Sequence, residues 1–150
     1  MPIRRDELLA PLSREHHQGL LLCWKIRTGF RKSVDLSRIQ NYAEWFYKSH
    51  LMPHFEIEEK YVFTVLGNNH NLVRRALKEH RQLRRLFNSI KTDQKSIGLI
   101  EEKLEAHIRF EERVLFNEIQ QVATPEQLIE IERHHNGPVT NNEWGDEFWK

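Results

Sequence analysis

The chain has 150 residues and a net charge of +1, with 23 basic and 22 acidic residues interspersed rather than blocked. That length is one ordinary domain with room for a core, and mixed, balanced charge removes any electrostatic reason to expect nucleic acid or an anionic membrane as partner. The single cysteine, Cys23, excludes an internal disulfide and a thiolate metal cage, which fits a reducing cytoplasm.

The N-terminal MPIRRDELLAPL lacks a long apolar stretch, and the longest strongly apolar run, LLLCW, is far shorter than the ~20 residues of a membrane span. The compositional excess is histidine, with nine in the chain.

Apolar residues recur with a helical period almost throughout, and no segment alternates as a half-buried strand does. A first helix is expected from an N-cap at Ser13 to about Arg31, with Leu12, His16, Leu20, Cys23, Ile26 and Phe30 on its inner face. A second opens on Ser37–Gln40, a capping-box pattern, and stops at Gly67 and two asparagines. Its inner row is Ile39, Ala43, Phe46, Tyr47, His50, His54, Glu58 and Tyr61. Pro53 removes one backbone donor mid-way, but the row stays in phase on both sides, so a kink is expected rather than a break.

A third helix, about Asn71–Ile90, aligns Val73, Leu77, His80, Leu83 and Phe87; a fourth, about Ser96–Val122, aligns Ile100, Leu104, His107, Glu111, Val114 and Ile119. Thr124-Pro-Glu-Gln127 reads as an N-cap, a proline at the first helical position and a capping-box glutamine, starting a short fifth helix that ends at Gly137-Pro138. The polar, tryptophan-bearing tail that follows is expected to lie against the domain. Four long helices with short connections predict an all-α, up-down-up-down four-helix bundle. It forms a single domain over 1–150, with its core at about 12–122 and the fifth helix and tail at 124–150.

Two stretches repeat one phrase: HFEIEEKYVF from His54 to Phe63, and HIRFEERVLF from His107 to Phe116. Residues four apart stand above one another on a helix, so His54 with Glu58, and His107 with Glu111, each turn an imidazole and a carboxylate inward. His16 and His80 lie in the inner rows of the other two helices. Two ionised carboxylates in a core cost several kcal/mol each unless paired or bound to metal. A pair of cations bridged by both glutamates, with two imidazoles for each, removes that cost. Imidazole and carboxylate donors suit iron, manganese or zinc, and six side chains leave coordination positions open for a small ligand.

The order His, HxxxE, His, HxxxE on four successive helices resembles the hemerythrin-like (HHE cation-binding) family, over roughly residues 12–122. The resemblance implies a non-haem di-iron centre, two iron ions with an oxo or hydroxo bridge, ligated by His16, His54, Glu58, His80, His107 and Glu111, with Glu58 and Glu111 bridging. Oxygen-carrying members have a further histidine one turn before the third-helix ligand, where this chain has Ala76. The four-histidine, two-glutamate set is more similar to the family's proteins that repair iron-sulfur clusters, without their cysteine-bearing N-terminal segment.

His17 competes with His16 but shares its face with Leu20, Leu21 and Trp24; His50, one turn before His54, is read as packing above the site, with ligation as its alternative. Tyr61, one turn beyond Glu58, is read as a core tyrosine, with a hydrogen bond from its hydroxyl to a bridging carboxylate or a bound ligand as its alternative, Glu59 and Glu112 as solvated or supporting, His70 as a loop residue, and Cys23 as core. His134 and His135 are read as cations at a helix C-terminus. The function expected is cytoplasmic binding or redox handling of O2, NO or peroxide, or of iron itself, with an electron donor as a further partner. The alternative is an enzyme-like role in iron-centre repair or in peroxide or NO reduction.

Overall fold

The computed structural model describes residues 4–135 and 144–150, and among them every regular element is helical. The elements are α1 (Ala10–Arg31), α2 (Leu36–Phe46), α3 (Met52–Ile57), α4 (Asn71–Asn88), α5 (Gln94–Phe110), α6 (Phe116–Val122) and α7 (Pro125–His135). Turns of the wider π geometry join α2 to α3 (Tyr47–Leu51), follow α3 (Glu58–Val62), and join α5 to α6 (Glu111–Leu115). Residues 36–65 therefore form one continuous rod, as do residues 94–122. The helix persists through Pro53 because the π turn just before it absorbs the missing donor. No helix among the described residues is long and apolar enough to cross a membrane.

Helix starts differ from expectation wherever an aspartate or an upstream turn does the capping better. α1 begins at Ala10, not Ser13, since the Asp6 carbonyl accepts from Leu9 and Ala10 and Pro11 stands in the first turn. This extra turn puts His16 well inside the helix. Asp35, not Ser37, caps α2, accepting from both the amide and the hydroxyl of Ser37. Asp93 caps α5 through the amide of Ser96, the residue expected to start it. His70 caps α4 with Nδ1, and that helix ends at Asn88, short of Ile90. Gly67 ends the second rod at φ +90, the left-handed region that favours glycine. The box at Thr124 and Gln127 forms as read, each side chain bonding the other's amide. The expected stop of α7 at Gly137-Pro138 lies outside the described residues.

The interior is two apolar clusters with a polar layer between them. One cluster contains Leu22, Cys23, Ile26, Ile39, Phe46, Leu51, Phe55, Leu83, Phe87, Ile100, Leu104 and Phe148. The other contains Leu9, Leu12, Val62, Phe63, Val73, Ala76, Phe110, Leu115, Phe116 and Ile119. α1 packs closely along α5; a Cβ on Gly19 would stand 2.6 Å from Ile108 Cδ1. In the tail, Phe148 is buried and Trp144 and Trp149 pack beside Tyr42.

The π turns shift the inner rows by one residue, and this overturns two expectations. Beyond Glu58 the core receives Val62, leaving Tyr61 half-buried; beyond Glu111 it receives Leu115, leaving Val114 44% exposed. His50 is likewise carried aside, where it packs on Trp45 and Phe46. Leu77, also expected inside, is partly exposed, with Ala76 taking the buried place.

The phase shift predicts that Leu115→Ala costs about 2–5 kcal/mol of unfolding free energy in urea titrations, as for a fully buried leucine, while Val114→Ala costs about 0.5 kcal/mol or less. An unbroken α-helix through this segment requires the opposite order.

Candidate metal centre

All six side chains singled out by the repeat and its flanking helices meet in the polar layer. His16, His54, Glu58, His80, His107 and Glu111 are each at most 3% exposed. Each helix supplies its donor at the boundary between the clusters: His16 lies between Leu12 and Gly19, His54 between Leu51 and Val62, His80 between Ala76 and Leu83, and His107 between Leu104 and Phe110. Helical spacing then forces the imidazole of each repeated phrase beside its own carboxylate. His54 Nε2 is 3.2 Å from Glu58, and His107 Nε2 is 3.3 Å from Glu111.

Two groups of donors form, and they share both carboxylates. His16, His54, Glu58 and Glu111 place ligand atoms within 4.8 Å of one another, and so do Glu58, His80, His107 and Glu111. The imidazoles pair accordingly, His16 with His54 at 4.7 Å between centroids and His80 with His107 at 4.8 Å. His54, His80 and His107 Nε2, both Glu58 oxygens and Glu111 Oε2 are buried without an aligned hydrogen bond. While His16 Nε2 is hydrogen-bonded to Glu111 Oε1 at 2.8 Å, several of these atoms approach to 3.2–3.6 Å without the alignment of a hydrogen bond. Buried polar atoms left in this way are costly, and imidazole with carboxylate is the donor set of iron, manganese or zinc. The residues fit a metal.

Each imidazole is held from behind. Its Nδ1 lies 2.7 Å from a carboxylate oxygen: His16 to Glu112, His54 to Glu15, His80 to Glu59 and His107 to Glu79. Carboxylate oxygens only accept, so Nδ1 carries the proton and Nε2 is turned to the centre. The donors form a closed ring. Glu15 of α1 holds His54, Glu59 of the second rod holds His80, Glu79 of α4 holds His107, and Glu112 of the last rod holds His16. An arginine backs three of these carboxylates, Arg84 on Glu59 at 2.8 Å, Arg5 on Glu112 at 3.0 Å and Arg75 on Glu79 at 3.1 Å, and the His135 ring stands 2.9 Å from Glu15.

Glu59 and Glu112 thus support the histidines of neighbouring helices, one of the two roles foreseen for them. Glu15 and Glu79 escaped sequence reasoning; their signal is a glutamate directly before the inward histidine in Glu15-His16 and Glu79-His80. His135 does more than face a helix dipole, and His134 stacks on Tyr61 at 3.9 Å. His17 is exposed, His50 belongs to neither donor group, and Cys23 is a core thiol that burial pushes up to about 12.

Charge in the cluster follows from this wiring. Burial and the charge of Glu111 push the Glu58 carboxyl up, but His54 and His16 outweigh them and hold it at about 2. Glu111 is held well below the carboxylate range by His107, His16 and His80 despite its burial. Burial pulls His54 down, yet Glu58 and Glu15 raise it to about 9. Both central carboxylates are therefore ionised and each wants positive charge.

The family model described as Hemerythrin HHE cation binding domain matches residues 7–119. No curated protein and no solved structure matches the chain.

Without a cation the cluster is a set of imidazolium–carboxylate pairs. His54 rises from 6.5 to about 9, so its contribution to stability is complete below pH 6.5 and lost as pH rises through 9. Glu58 falls from 4.5 to about 2, so its contribution is complete above pH 4.5 and lost as pH falls toward 2. The melting temperature of chelator-treated protein is expected to fall between pH 6.5 and 9. Metal-loaded protein should melt higher and fall much less over that interval, because the cation replaces the protons. Identical pH profiles for the two forms would show that the imidazoles do not face a cation.

Proposed function

The chain belongs to the hemerythrin HHE cation-binding family, and we propose that its centre holds two iron ions that bind or exchange electrons with a small ligand, O2, NO or peroxide, in the cytoplasm. One observation carries the reading: two four-residue donor groups that share Glu58 and Glu111. Shared carboxylates make the two positions neighbours, and four imidazoles with two bridges leave coordination open on both ions. We further infer one domain with up-down-up-down rods. Successive rods meet the two apolar clusters in alternating order, α1 from Leu12 to Leu22, the second rod from Ile39 to Val62, α4 from Val73 to Leu83 and the last from Ile100 to Phe116.

When bound, the iron pair supplies reversible one- and two-electron exchange with such a ligand. The protein's part is to place and insulate. Glu58 and Glu111 set the spacing of the two positions and neutralise their charge; the four imidazoles, aimed by their glutamates, bind through Nε2. Phe55 stacks on His80 at 4.0 Å and Phe116 lies 5.0 Å from His16, so water is excluded from the imidazole faces. A second reading, turnover in peroxide or NO reduction or in iron-centre repair, is favoured by Ala76. This residue is buried one turn before His80, and it offers no further nitrogen to restrain reactivity.

Elemental analysis of protein purified without chelator is expected to give two irons per chain with a near-ultraviolet ligand-to-iron absorption; one tightly bound ion at full occupancy would contradict the proposal. Glu111→Ala should lose at least one iron and that absorption, whereas Glu112→Ala keeps both irons with weakened binding. The same contrast is expected for Glu58 against Glu59. Rapid mixing of reduced protein with O2, NO and peroxide separates the two readings, since a reversible adduct marks a binder and sustained consumption with added reductant marks turnover.

A further inference from the structure

The two donor groups have equivalent ligands, but the groups that steady those ligands differ. His80 and His107 are backed by Glu59 and Glu79, whose cations, Arg84 and Arg75, both belong to α4, the helix that carries His80 itself. Each arginine donates an aligned hydrogen bond and covers a phenylalanine of the core, Arg75 at 3.9 Å over Phe110 and Arg84 at 5.6 Å over Phe55, as Arg5 on Glu112 also does at 5.6 Å over Phe116. His16 and His54 are backed from outside the long rods. Arg5, on Glu112, comes from the segment before α1, and His135, beside Glu15, is carried by α7.

The Glu15 link is also the wettest and least aligned of the four. Its side chain is 42% exposed, against 24–27% for Glu59, Glu79 and Glu112. His135 Nε2 stands at ion-pair distance, 2.9 Å, yet makes no aligned hydrogen bond. His135 Nε2 is itself buried and only Glu15 is open to water, but a pair without an aligned hydrogen bond holds its carboxylate weakly. α7 is anchored in the second cluster by Leu128 and Ile131, so opening there begins at the end that carries His135, beyond those anchors.

Resting on the two-metal reading above, we propose that the two positions are unequal: the ion between His16 and His54 is the exchangeable one, and His135 is the positioning residue that retains it, through Glu15 and His54. Opening at the end of α7 frees Glu15, which frees the ring of His54, and one ligand of that position is lost without disturbing α4. The His80–His107 position has no such handle, because its supports are built into the rod that carries its ligand. The shared Glu58 and Glu111 remain in place and hold the second ion while the first leaves. A centre built this way releases or takes up one iron at a time, from one side.

The test is release of iron from the loaded protein to a strong chromogenic chelator, followed by absorbance, with circular dichroism to verify folding. The native chain is expected to lose its irons in two phases of one ion each. His135→Ala should speed the fast phase roughly 2- to 5-fold, the scale of losing a weak pair one step behind the ring's own support, and leave the slow phase unchanged. His135→Gln, which keeps an N–H donor toward Glu15, should fall between. Arg5→Ala reaches the same position through Glu112 and His16 and should speed the same fast phase, while Arg84→Ala should speed only the slow one. Release of both ions from the native chain in a single phase would overturn the proposal. A folded, two-iron His135→Ala protein with an unchanged fast phase, or with both phases sped equally, would overturn it too. A native chain that never holds two irons would instead refute the two-metal reading, and direct stoichiometry separates that failure from the others.

Discussion

Two carboxylates with no solvent exposure, Glu58 and Glu111, face one another at the middle of a helical bundle, and the rest of the molecule is organised around that expense. Left alone, each would repel the other and cost several kcal/mol in lost hydration. The chain answers with four imidazoles, one from every long rod, whose Nε2 atoms converge on the two carboxylates. Separate apolar clusters above and below the layer let the bundle fold on hydrophobic burial while its polar waist is specified by geometry.

Charge is passed outward in alternating shells. Central carboxylates meet imidazoles, imidazoles meet Glu15, Glu59, Glu79 and Glu112, and these meet Arg5, Arg75, Arg84 and His135 near the surface. Each step moves a charge from a place where desolvation is severe to one where water helps. Every Nδ1 is held by the carboxylate behind it, so the orientation of Nε2 is decided before any ion arrives. The family to which the chain belongs is defined by cation binding, and here each imidazole has its own supporting carboxylate.

Much of this was legible in the sequence because it is periodic. An HxxxE pair on a helix places both side chains on one face whatever the rest of the fold does, and its repetition in phase with apolar rows marked the interior. His16 was separable from His17 by the same rule. What stayed hidden was of two kinds. Pairings between helices, such as Glu15 with His54 or Glu79 with His107, have no sequence period, since they depend on which rods become neighbours. Departures from the period itself were hidden as well: the π turns at Glu58 and Glu111 insert a residue into the row, so Val62 and Leu115 took places that a constant 3.6 gives to Tyr61 and Val114. The wider turn opens at the glutamate of each phrase, so the repeat encodes a backbone irregularity along with its ligands. Capping failed more simply, because Asp35 and Asp93 compete with nearby serines that look equally suitable.

The ring formed by the four supporting glutamates has a mechanical meaning. Every rod gives a carboxylate to the next and takes one from the last, so the chain of support has no free end. A rod that detaches strands two partners at once, an imidazole that loses its anchor and a glutamate left facing nothing. Partial opening of one rod is thereby penalised twice, whereas a linear arrangement would let its terminal member peel off at half that penalty. The closed arrangement ties the four long rods into one cooperative unit, which α7 and the segment before α1 touch from outside without belonging to the ring.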